Sequence, residues 1–122
     1  MRRELLLLEE MAEAAEQAQR LVDGVSVHML ADDRVRRDAL LWNFTVLGEA
    51  ASQLPDEIKA RFPEVPWQQP ARLRNRIVHG YWSVDLDVLH TTAQSRLPGF
   101  AADVRRVLAL LTEEDASSGG SI

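Results

Sequence analysis

Residues 33–54 read DRVRRDALLWNFTVLGEAASQL, and this stretch decides the fold class. It places five apolar side chains at alternating spacings of four and three residues, namely Leu40, Phe44, Leu47, Ala51 and Leu54. Residues at those spacings lie on one side of a helix and form a continuous apolar stripe. The pattern therefore predicts a helix that begins near Asp32 or Asp33, runs to Leu54 and packs this stripe into a core.

The segments on either side of this stretch also predict helices. Residues 3–22 are rich in Leu, Ala, Glu, Gln and Arg, which favours a long helix that ends at Asp23–Gly24, where glycine supplies a left-handed turn. Residues 25–32 are expected to form a turn or a short helical piece. Pro55 suits the first position of a further short helix, which Phe62–Pro66 closes.

The next helix carries the residues of chemical interest. The segment Trp67–His79 predicts a helix capped by Gly80. Proline lacks the N–H group that a helix interior needs, so the regular part of this helix is expected to start no earlier than Pro70.

The last third of the chain predicts two further helices. Ser83 and Asp85 offer caps for a helix through about Arg96, and Pro98 starts or kinks a final helix through Leu111. No segment shows the sustained alternation of a strand.

These patterns together predict an all-α protein, an antiparallel bundle of four to six helices including short ones. With 122 residues the chain has the length of one domain, which we assign to residues 1–113. The tail 114–122 contains the run Ser117-Ser118-Gly119-Gly120-Ser121 and is expected to be disordered, since it cannot bury enough apolar surface to offset its ordering entropy.

Composition excludes several classes of function. The chain has no cysteine, which rules out a disulfide scaffold and a thiolate metal site, and its three histidines are too scattered for a helical zinc pair, so we expect no metal and no cofactor. No apolar run approaches membrane-spanning length, because glutamates interrupt the leucines near the N-terminus. A cytoplasmic protein without membrane contact is therefore expected.

Charge is distributed unevenly along the chain. The formal net charge of −5 argues against a protein that coats nucleic acid in general. The segment Trp67–Trp82, however, contains three arginines, one histidine and no acid. Any contact with RNA should therefore be local to this segment.

On an ideal helix, Arg72, Asn75, Arg76 and His79 fall on one side, whereas Leu73, Ile77 and Val78 fall on the other and Arg74 projects between Ile77 and Val78. An arginine in an apolar arc needs a partner or a groove, since an unpaired buried charge is costly. Arg74 and His79 do not share a face, so they would converge only through the helix end at Gly80 or a groove between subunits.

The chemistry of these side chains fits RNA cleavage without a metal. Such cleavage needs a base for the ribose 2′-hydroxyl, an acid for the 5′-oxygen leaving group and cationic groups for the phosphate. Histidine titrates near neutral pH, so His79 can exchange protons, Arg74 can bind phosphate, and Asn75 can support both. One histidine does not easily reach both ends of the displacement, which favours a homodimeric groove, although a water-mediated partner would also serve.

Each of these residues also has a structural interpretation. Arg74 can form an ion pair with Glu49, His79 can cap its helix, and Arg72 and Arg76 can be a solvated face as readily as an RNA-binding one. Glu49 can alternatively orient Arg74 or His79. Gly48, within a predicted helix, is best explained by close approach of another helix, and His28 and His90 are expected in surface or capping roles.

The segment Arg74-Asn75-Arg76-Ile77-Val78-His79-Gly80-Tyr81 resembles the R-x4-H-x-Y motif of the HepT branch of the HEPN proteins. The resemblance covers roughly residues 3–112. It includes several shorter matches in the same order: Asp38-Ala39, Gly48-Glu49-Ala50, Leu54-Pro55, Pro63-Glu64-Val65-Pro66-Trp67 and Val84-Asp85-Leu86. The sequence departs from the family at Gln68-Gln69-Pro70-Ala71, where an uninterrupted helical approach to Arg74 is expected.

The resemblance implies a HEPN-type bundle, dimerisation, metal-independent endoribonuclease activity and a neighbouring MntA-like nucleotidyltransferase antitoxin, with which a higher heteromeric complex can form. It implies that Arg74 and His79 are catalytic, that Asn75 supports them, and that the antitoxin AMPylates Tyr81. A packing role for the aromatic ring is the alternative for Tyr81. For the whole chain, the alternative is a non-catalytic HEPN module that docks on a nucleotidyltransferase and presents nucleotide or substrate.

Overall fold

The computed structural model describes residues 2–80 and 83–120, the last three of these as backbone alone. The helices are α1 (Arg3–Val22), α2 (Val27–Asp32), α3 (Arg34–Gln53), α4 (Asp56–Arg61), α5 (Gln68–His79), α6 (Leu86–Thr91) and α7 (Leu97–Gly120). A π-helical segment, Thr92–Arg96, joins α6 to α7 without a break. Counting that run as one, these residues form six helices and no strand, which confirms the all-α class.

The two longest helices of the first half run antiparallel. Near one end of the pair, Arg36 Nη1 of α3 donates to the carbonyl oxygen of Leu21 in α1 at 2.9 Å. At the other end, the guanidinium of Arg3 donates to the side chain of Gln53. The end of α1 thus meets the start of α3, and the start of α1 meets the end of α3.

The final helix also runs antiparallel to α1. Arg105 of α7 donates to Glu16 Oε1 at 2.7 Å and Oε2 at 3.0 Å, and to Glu9 Oε1 at 3.0 Å. Nearer the end of α7, Asp115 lies 3.9 Å from the guanidinium of Arg2. The hydrogen bonds from Arg105 lower the pKa of the Glu16 carboxyl below its ordinary value. Helices α1, α3 and α7 therefore form the body of an antiparallel bundle, as predicted.

The apolar stripe of α3 lies in the core, as its spacing predicts. Its five members, Leu40, Phe44, Leu47, Ala51 and Leu54, are all buried. They meet buried side chains of α1, including Leu8 and Met11, and of the last helix, including Val104 and Val107. Full burial of one such large apolar side chain stabilises the fold by roughly 1.5–3 kcal/mol, so this stripe is a main source of cohesion.

The connections before α3 follow the expected turn chemistry. Gly24 has a φ of +69°, the left-handed conformation predicted after α1. Ser26 caps α2 by accepting from the Met29 N–H at 3.1 Å, and Asp33 caps α3 by accepting from the Arg36 N–H at 3.1 Å.

The sequence places the starts of two helices slightly wrongly, that of α5 by two residues and that of α4 by one. The helix that carries the motif begins at Gln68 rather than Pro70, because Pro70 lies in the first turn, where backbone N–H groups have no partner within the helix. For the same reason a proline before a helix costs nothing, and Pro55 precedes α4 as its cap instead of occupying its first position.

The final helix continues to Gly120, whereas the sequence predicts its end near Leu111. Interactions of side chains beyond Leu111 explain the difference. Arg61 Nη1 donates to Glu114 Oε1 at 2.9 Å, and Arg2 pairs with Asp115. These contacts join the added turns of α7 to the rest of the bundle. The assignment of residues 1–113 as the domain stays a prediction.

Within residues 2–80 and 83–120, no helix is long and apolar enough to cross a lipid bilayer.

Candidate active site

The helix that carries the motif, α5, lies unusually close to α3 because residue 48 is glycine. A Cβ atom at Gly48 would lie 2.2 Å from the Cβ of Arg74 and 2.5 Å from the carbonyl oxygen of Pro70. Neither distance is possible for a real methyl group, so any other residue would push the two helices apart. The predicted packing role of Gly48 is confirmed, and this contact fixes the position of Arg74.

The guanidinium of Arg74 is held between α3 and its own helix. Its Nη2 lies 3.0 Å from Glu49 Oε2, and its Nη1 donates to Asn75 Oδ1 at 3.0 Å. Its Nε is buried and has no hydrogen-bond partner within the described ranges. The side chain is 32% exposed, so part of it is accessible to solvent although its Nε is buried. The ion pair with Glu49 that the sequence suggests is present, and the contact with Asn75 adds a partner that the sequence did not indicate.

Glu49 belongs to a longer chain of polar contacts. Its Oε1 accepts from Gln53 Nε2 at 3.0 Å, and the amide oxygen of Gln53 accepts from Arg3. Arg74 is therefore connected through α3 to the first turn of α1. Gln53 and Arg3 have no distinguishing local pattern in the sequence, since only the antiparallel packing brings them together.

His79 is the last residue of α5, and its side chain is exposed. No hydrogen bond or ion pair joins its ring to any residue of the described part of the chain. Directly after it, the Gly80 N–H donates to the carbonyl oxygen of Arg76 at 3.0 Å, and Ser83 Oγ donates to the Gly80 carbonyl oxygen at 3.1 Å. The imidazole can therefore meet a ligand from solvent.

The structure does not bring Arg74 and His79 into contact within one subunit. Arg74 points to α3 and Glu49, whereas His79 lies at the exposed end of α5, in agreement with the ideal-helix expectation. The apolar arc is narrower than predicted, because Ile77 is buried but Val78 is half exposed at 50%. Val78 is thus not a core residue, since α5 contacts the bundle mainly through its α3 side.

Arg72 and Arg76 lie one turn apart on the exposed side of α5. Arg72 Nη2 donates to Gln68 Oε1 at 3.1 Å, and neither arginine forms an ion pair within the described ranges. The two arginines line a cleft beside α5, and Arg96 of the π-helical segment, which sequence reasoning missed, lines that cleft as well. It lies twenty residues further along the chain, so no local signal links it to α5. The predicted modification residue, Tyr81, lies outside the described residues.

The other histidines differ from the sequence-based expectation in one case. His28 is exposed, as expected, but His90 is buried, and its Nε2 is hydrogen-bonded to the carbonyl oxygen of Val25. The surface or capping role predicted for His90 is therefore wrong. The ring lies between α6 and the connection before α2, and its hydrogen bond to the carbonyl oxygen of Val25 joins the two.

Within the same ranges, no group of three or more histidine, aspartate and glutamate side chains is arranged to hold a metal ion.

Comparison with known proteins places these features in a family context. Residues 11–107 match the family model described as Ribonuclease HepT-like. The chain is 31% identical, over 75% of its length and 83% of the relative's, to the "Probable ribonuclease HepT" of Thermococcus cleftensis. It is 26% identical to the "Putative RNase MJ0127" of Methanocaldococcus jannaschii, over 70% of this chain and 71% of the relative.

A further relative is the "Putative RNase TTE0752" of Caldanaerobacter subterraneus, which is 28% identical over 71% of this chain and 78% of the relative. No solved structure gave a significant match. The family match spans α3 and α5, and so includes Gly48, Glu49, Arg74 and His79.

Proposed function

The chain belongs to the HepT-like ribonuclease family, and on that premise we propose that it is a metal-independent endoribonuclease, the toxin of a toxin–antitoxin pair. The observation that carries the proposal is the pair of side chains that α5 presents. This helix presents the guanidinium of Arg74, which Glu49 holds, and the exposed imidazole of His79, which has no partner among residues 2–80 and 83–120. Both lie in a segment without acids in an otherwise acidic chain. A metal-free phosphodiester cleavage needs a cationic group for the phosphate and a group that exchanges protons, and these two side chains can supply both.

In the proposed reaction, the ribose 2′-oxygen attacks the adjacent phosphorus while the bond from phosphorus to the 5′-oxygen breaks. His79 either takes the 2′-hydroxyl proton or delivers a proton to the leaving 5′-oxygen, and a group of the second subunit or a water molecule makes the other transfer. Arg74 binds the phosphate as negative charge develops on it. The products are a 2′,3′-cyclic phosphate and a 5′-hydroxyl. Asn75 supports the reaction by holding Arg74 Nη1 at 3.0 Å.

Glu49 has a positioning role in this proposal. Its carboxylate keeps the Arg74 guanidinium in one orientation when no RNA is bound. A phosphate group competes with Glu49 for the same N–H donors, so binding exchanges one anionic partner of Arg74 for another. Among the described residues the Nε of Arg74 has no hydrogen-bond partner, so a guanidinium that turns toward a phosphate gives up no bond at that nitrogen.

The active form is proposed to be a homodimer. A shallow apolar groove on the outer side of α3, lined by Leu7, Trp42, Val46 and Ala50, has Arg74 at its edge. Trp42 is 66% exposed there. Large exposed aromatic side chains usually mark an interaction site, which favours a protein interface at this groove. A second copy that covers this groove would bring its own α5 close to Arg74 and supply the second proton-transfer group.

Cleavage assays test the proposal directly. Purified protein is incubated with RNA in the presence of EDTA, and we expect fragments that end in a cyclic phosphate. His79→Ala and Arg74→Ala should each abolish cleavage, whereas His28→Ala, which alters another exposed histidine, should not. Equal cleavage by a folded His79→Ala variant would overturn the assignment, and loss of cleavage in EDTA would overturn metal independence.

Regulation is proposed to occur at Tyr81 through a nucleotidyltransferase antitoxin. The tyrosine oxygen attacks the α-phosphorus of ATP, pyrophosphate leaves, and the hydroxyl proton passes to solvent. The resulting AMP group adds bulk and negative charge two residues from His79, where the RNA phosphate would bind. Intact-mass measurement with antitoxin and ATP should detect the adduct in the wild type, and the same adduct on Tyr81→Phe would refute the site.

An alternative function is a non-catalytic module that docks on a nucleotidyltransferase and presents nucleotide or substrate to it. The net charge of −5 and the pairing of Arg74 with Glu49 favour this alternative. Tight partner binding without RNA cleavage, even when the chain is expressed alone, would select it. Because the proposed substrate is cellular RNA and the proposed partner uses ATP, we assign both functions to the cytoplasm.

A further inference from the structure

A second surface feature lies on the side of α5 away from Arg74. It is a cleft of about 530 Å³ between α5 and the continuous run formed by the π-helical segment and α7. Its apolar lining consists of Phe44, Leu47, Pro66, Pro70, Leu73, Leu97 and Phe100. This volume lies within the range of sites that bind small organic groups, and an apolar floor suits the flat face of a nucleobase. We call it the α5–α7 cleft.

Three arginines surround this floor. Arg72 and Arg76 come from α5, and Arg96 comes from the π-helical segment on the opposite wall. None of the three forms an ion pair in the described part of the chain. One acid, Asp103, also lines the cleft, and it lies 3.9 Å from Arg106. The cleft therefore carries a clear excess of positive charge within an acidic protein.

The π-helical segment determines where Arg96 lies. Arg96 is the last residue of this segment, and Thr92, its first residue, also lines the cleft. Thr92 Oγ1 donates to the carbonyl oxygen of Val88 at 2.7 Å, which helps to satisfy the disturbed backbone. Single π-helical turns are rare and are frequently found at functional sites, which is an observation independent of charge.

The cleft continues into a neighbouring depression of about 470 Å³. The two share Pro66, Gln69 and Arg72, and the second adds Lys59 at its far side. A track of four cationic side chains thus runs from Lys59 past Arg72 and Arg76 to Arg96. A single small metabolite would occupy only part of this track, whereas a chain with a negative charge at every unit would match its whole length.

We propose that the α5–α7 cleft binds single-stranded RNA next to the bond that is cut, with a base on the apolar floor and the flanking phosphates on Arg72, Arg76 and Arg96. The inference rests on the proposed function, since His79 follows Arg76 by one turn of the same helix. It assigns Arg96 and Lys59 as RNA-binding residues. An unstacked base is required to enter the cleft, so paired RNA should bind poorly.

The test measures binding without cleavage. A fluorescent 2′-O-methyl oligonucleotide has no free 2′-hydroxyl, so polarisation at several salt concentrations reports affinity alone. Arg96→Gln should weaken binding about tenfold, as expected for loss of a charge-assisted hydrogen bond. It should also reduce the slope of log affinity against log salt by about 0.7, the value for one phosphate contact in a single strand. Arg96→Lys should recover most of the affinity.

Arg34→Gln is the matched control, because it removes the same charge from an exposed side chain at the start of α3, outside the cleft. It should bind like the wild type. Circular dichroism should show that each variant is folded, and Arg76→Gln replaces Arg96→Gln if the latter is not. A duplex of the same oligonucleotide with its complementary strand should bind less tightly than the single strand.

The outcomes separate this inference from the proposed function. If RNA is cleaved but Arg96→Gln binds the oligonucleotide as tightly as the wild type does, the cleft assignment is overturned and the ribonuclease proposal stands. If the wild type binds the oligonucleotide through Arg96 but cleaves no RNA, the cleft assignment stands and the ribonuclease proposal falls. Equal losses in Arg96→Gln and Arg34→Gln would indicate a general charge effect and would overturn the cleft.

Discussion

Substitution of Gly48 by alanine should separate the helix pair that holds Arg74. The added methyl carbon would lie 2.2 Å from the Cβ of Arg74 and 2.5 Å from the carbonyl oxygen of Pro70, whereas ordinary contact begins at 3.4 Å. Neither neighbouring atom is the free end of a flexible side chain. The two helices must therefore separate by roughly 1 Å, a shift of the size expected when a packed interior is overfilled.

Two effects on the free energy of unfolding oppose each other. Alanine is favoured over glycine in a helix interior by about 0.8–1.0 kcal/mol, whereas overpacking costs about 1–3 kcal/mol. Contact with backbone puts Gly48→Ala at the upper end of that cost, so we expect a net loss of about 2 kcal/mol. For a domain of this size, such a loss lowers Tm by about 7 °C.

The same displacement should reduce activity in protein that remains folded. A misplacement of about 1 Å in a catalytic group can lower a rate on the order of 100-fold. Thermal unfolding and the RNA cleavage rate should therefore both be measured on Gly48→Ala at a temperature where it is folded. The stability loss tests the packing argument by itself, and the rate tests the role of Arg74.

Gly99 provides a matched control in another helix. A Cβ there meets no heavy atom within 4 Å, so Gly99→Ala should leave cleavage unchanged and should not lower stability. A gain of about 0.4–1 kcal/mol is expected from the reduced freedom of the unfolded chain. If Gly48→Ala proves as stable as Gly99→Ala, the close approach of α3 and α5 is not what constrains residue 48, and the reasoning fails.

Three further predictions concern other parts of the molecule. Trp42→Glu should shift the protein from dimer to monomer in light scattering without lowering the Tm of the monomer, because this side chain is 66% exposed; a dimer of unchanged affinity would exclude this groove as the interface. Arg105→Gln should lower the free energy of unfolding at neutral pH by about 1 kcal/mol, since its carboxylate partners are partly exposed and solvent screens them. Because its hydrogen bonds lower the pKa of Glu16, this stabilisation is complete above the unfolded carboxyl pKa of about 4.3 and is lost as pH falls through the lower folded value. Urea unfolding of both proteins should therefore converge at strongly acid pH, and a constant difference would contradict the assignment. His90→Phe should destabilise by about 1 kcal/mol, because the hydrogen bond between the buried ring and the carbonyl oxygen of Val25 is lost; urea unfolding of the exposed-site variant His28→Phe, which should be unchanged, is the control.

The sequence alone determined the helices and most of the core. The spacing of Leu40, Phe44 and Leu47 predicted the buried side of α3, and Gly24 marked a left-handed turn, because helix periodicity and backbone freedom are local properties. The family resemblance rests on the same local properties, namely the motif at residues 74–81 and the shorter matches that run in order from Asp38 to Leu86. The start of α5 was misplaced because the tolerance of a first helical turn for Pro70 depends on where the helix begins.

Only the tertiary structure decided which side chains meet. The sequence suggested Glu49 as a partner for Arg74, but it did not indicate the hydrogen bond from Arg74 to Asn75 or the connection of Glu49 to Gln53. It placed His90 at the surface, although the ring is buried against α2's connection. Arg96 and Arg72 line one cleft because the last helical run faces α5 across it, and proximity between residues twenty or more positions apart has no local periodicity. The sequence of one helix therefore indicated the proposed catalytic residues, whereas packing between helices determined the surface around them.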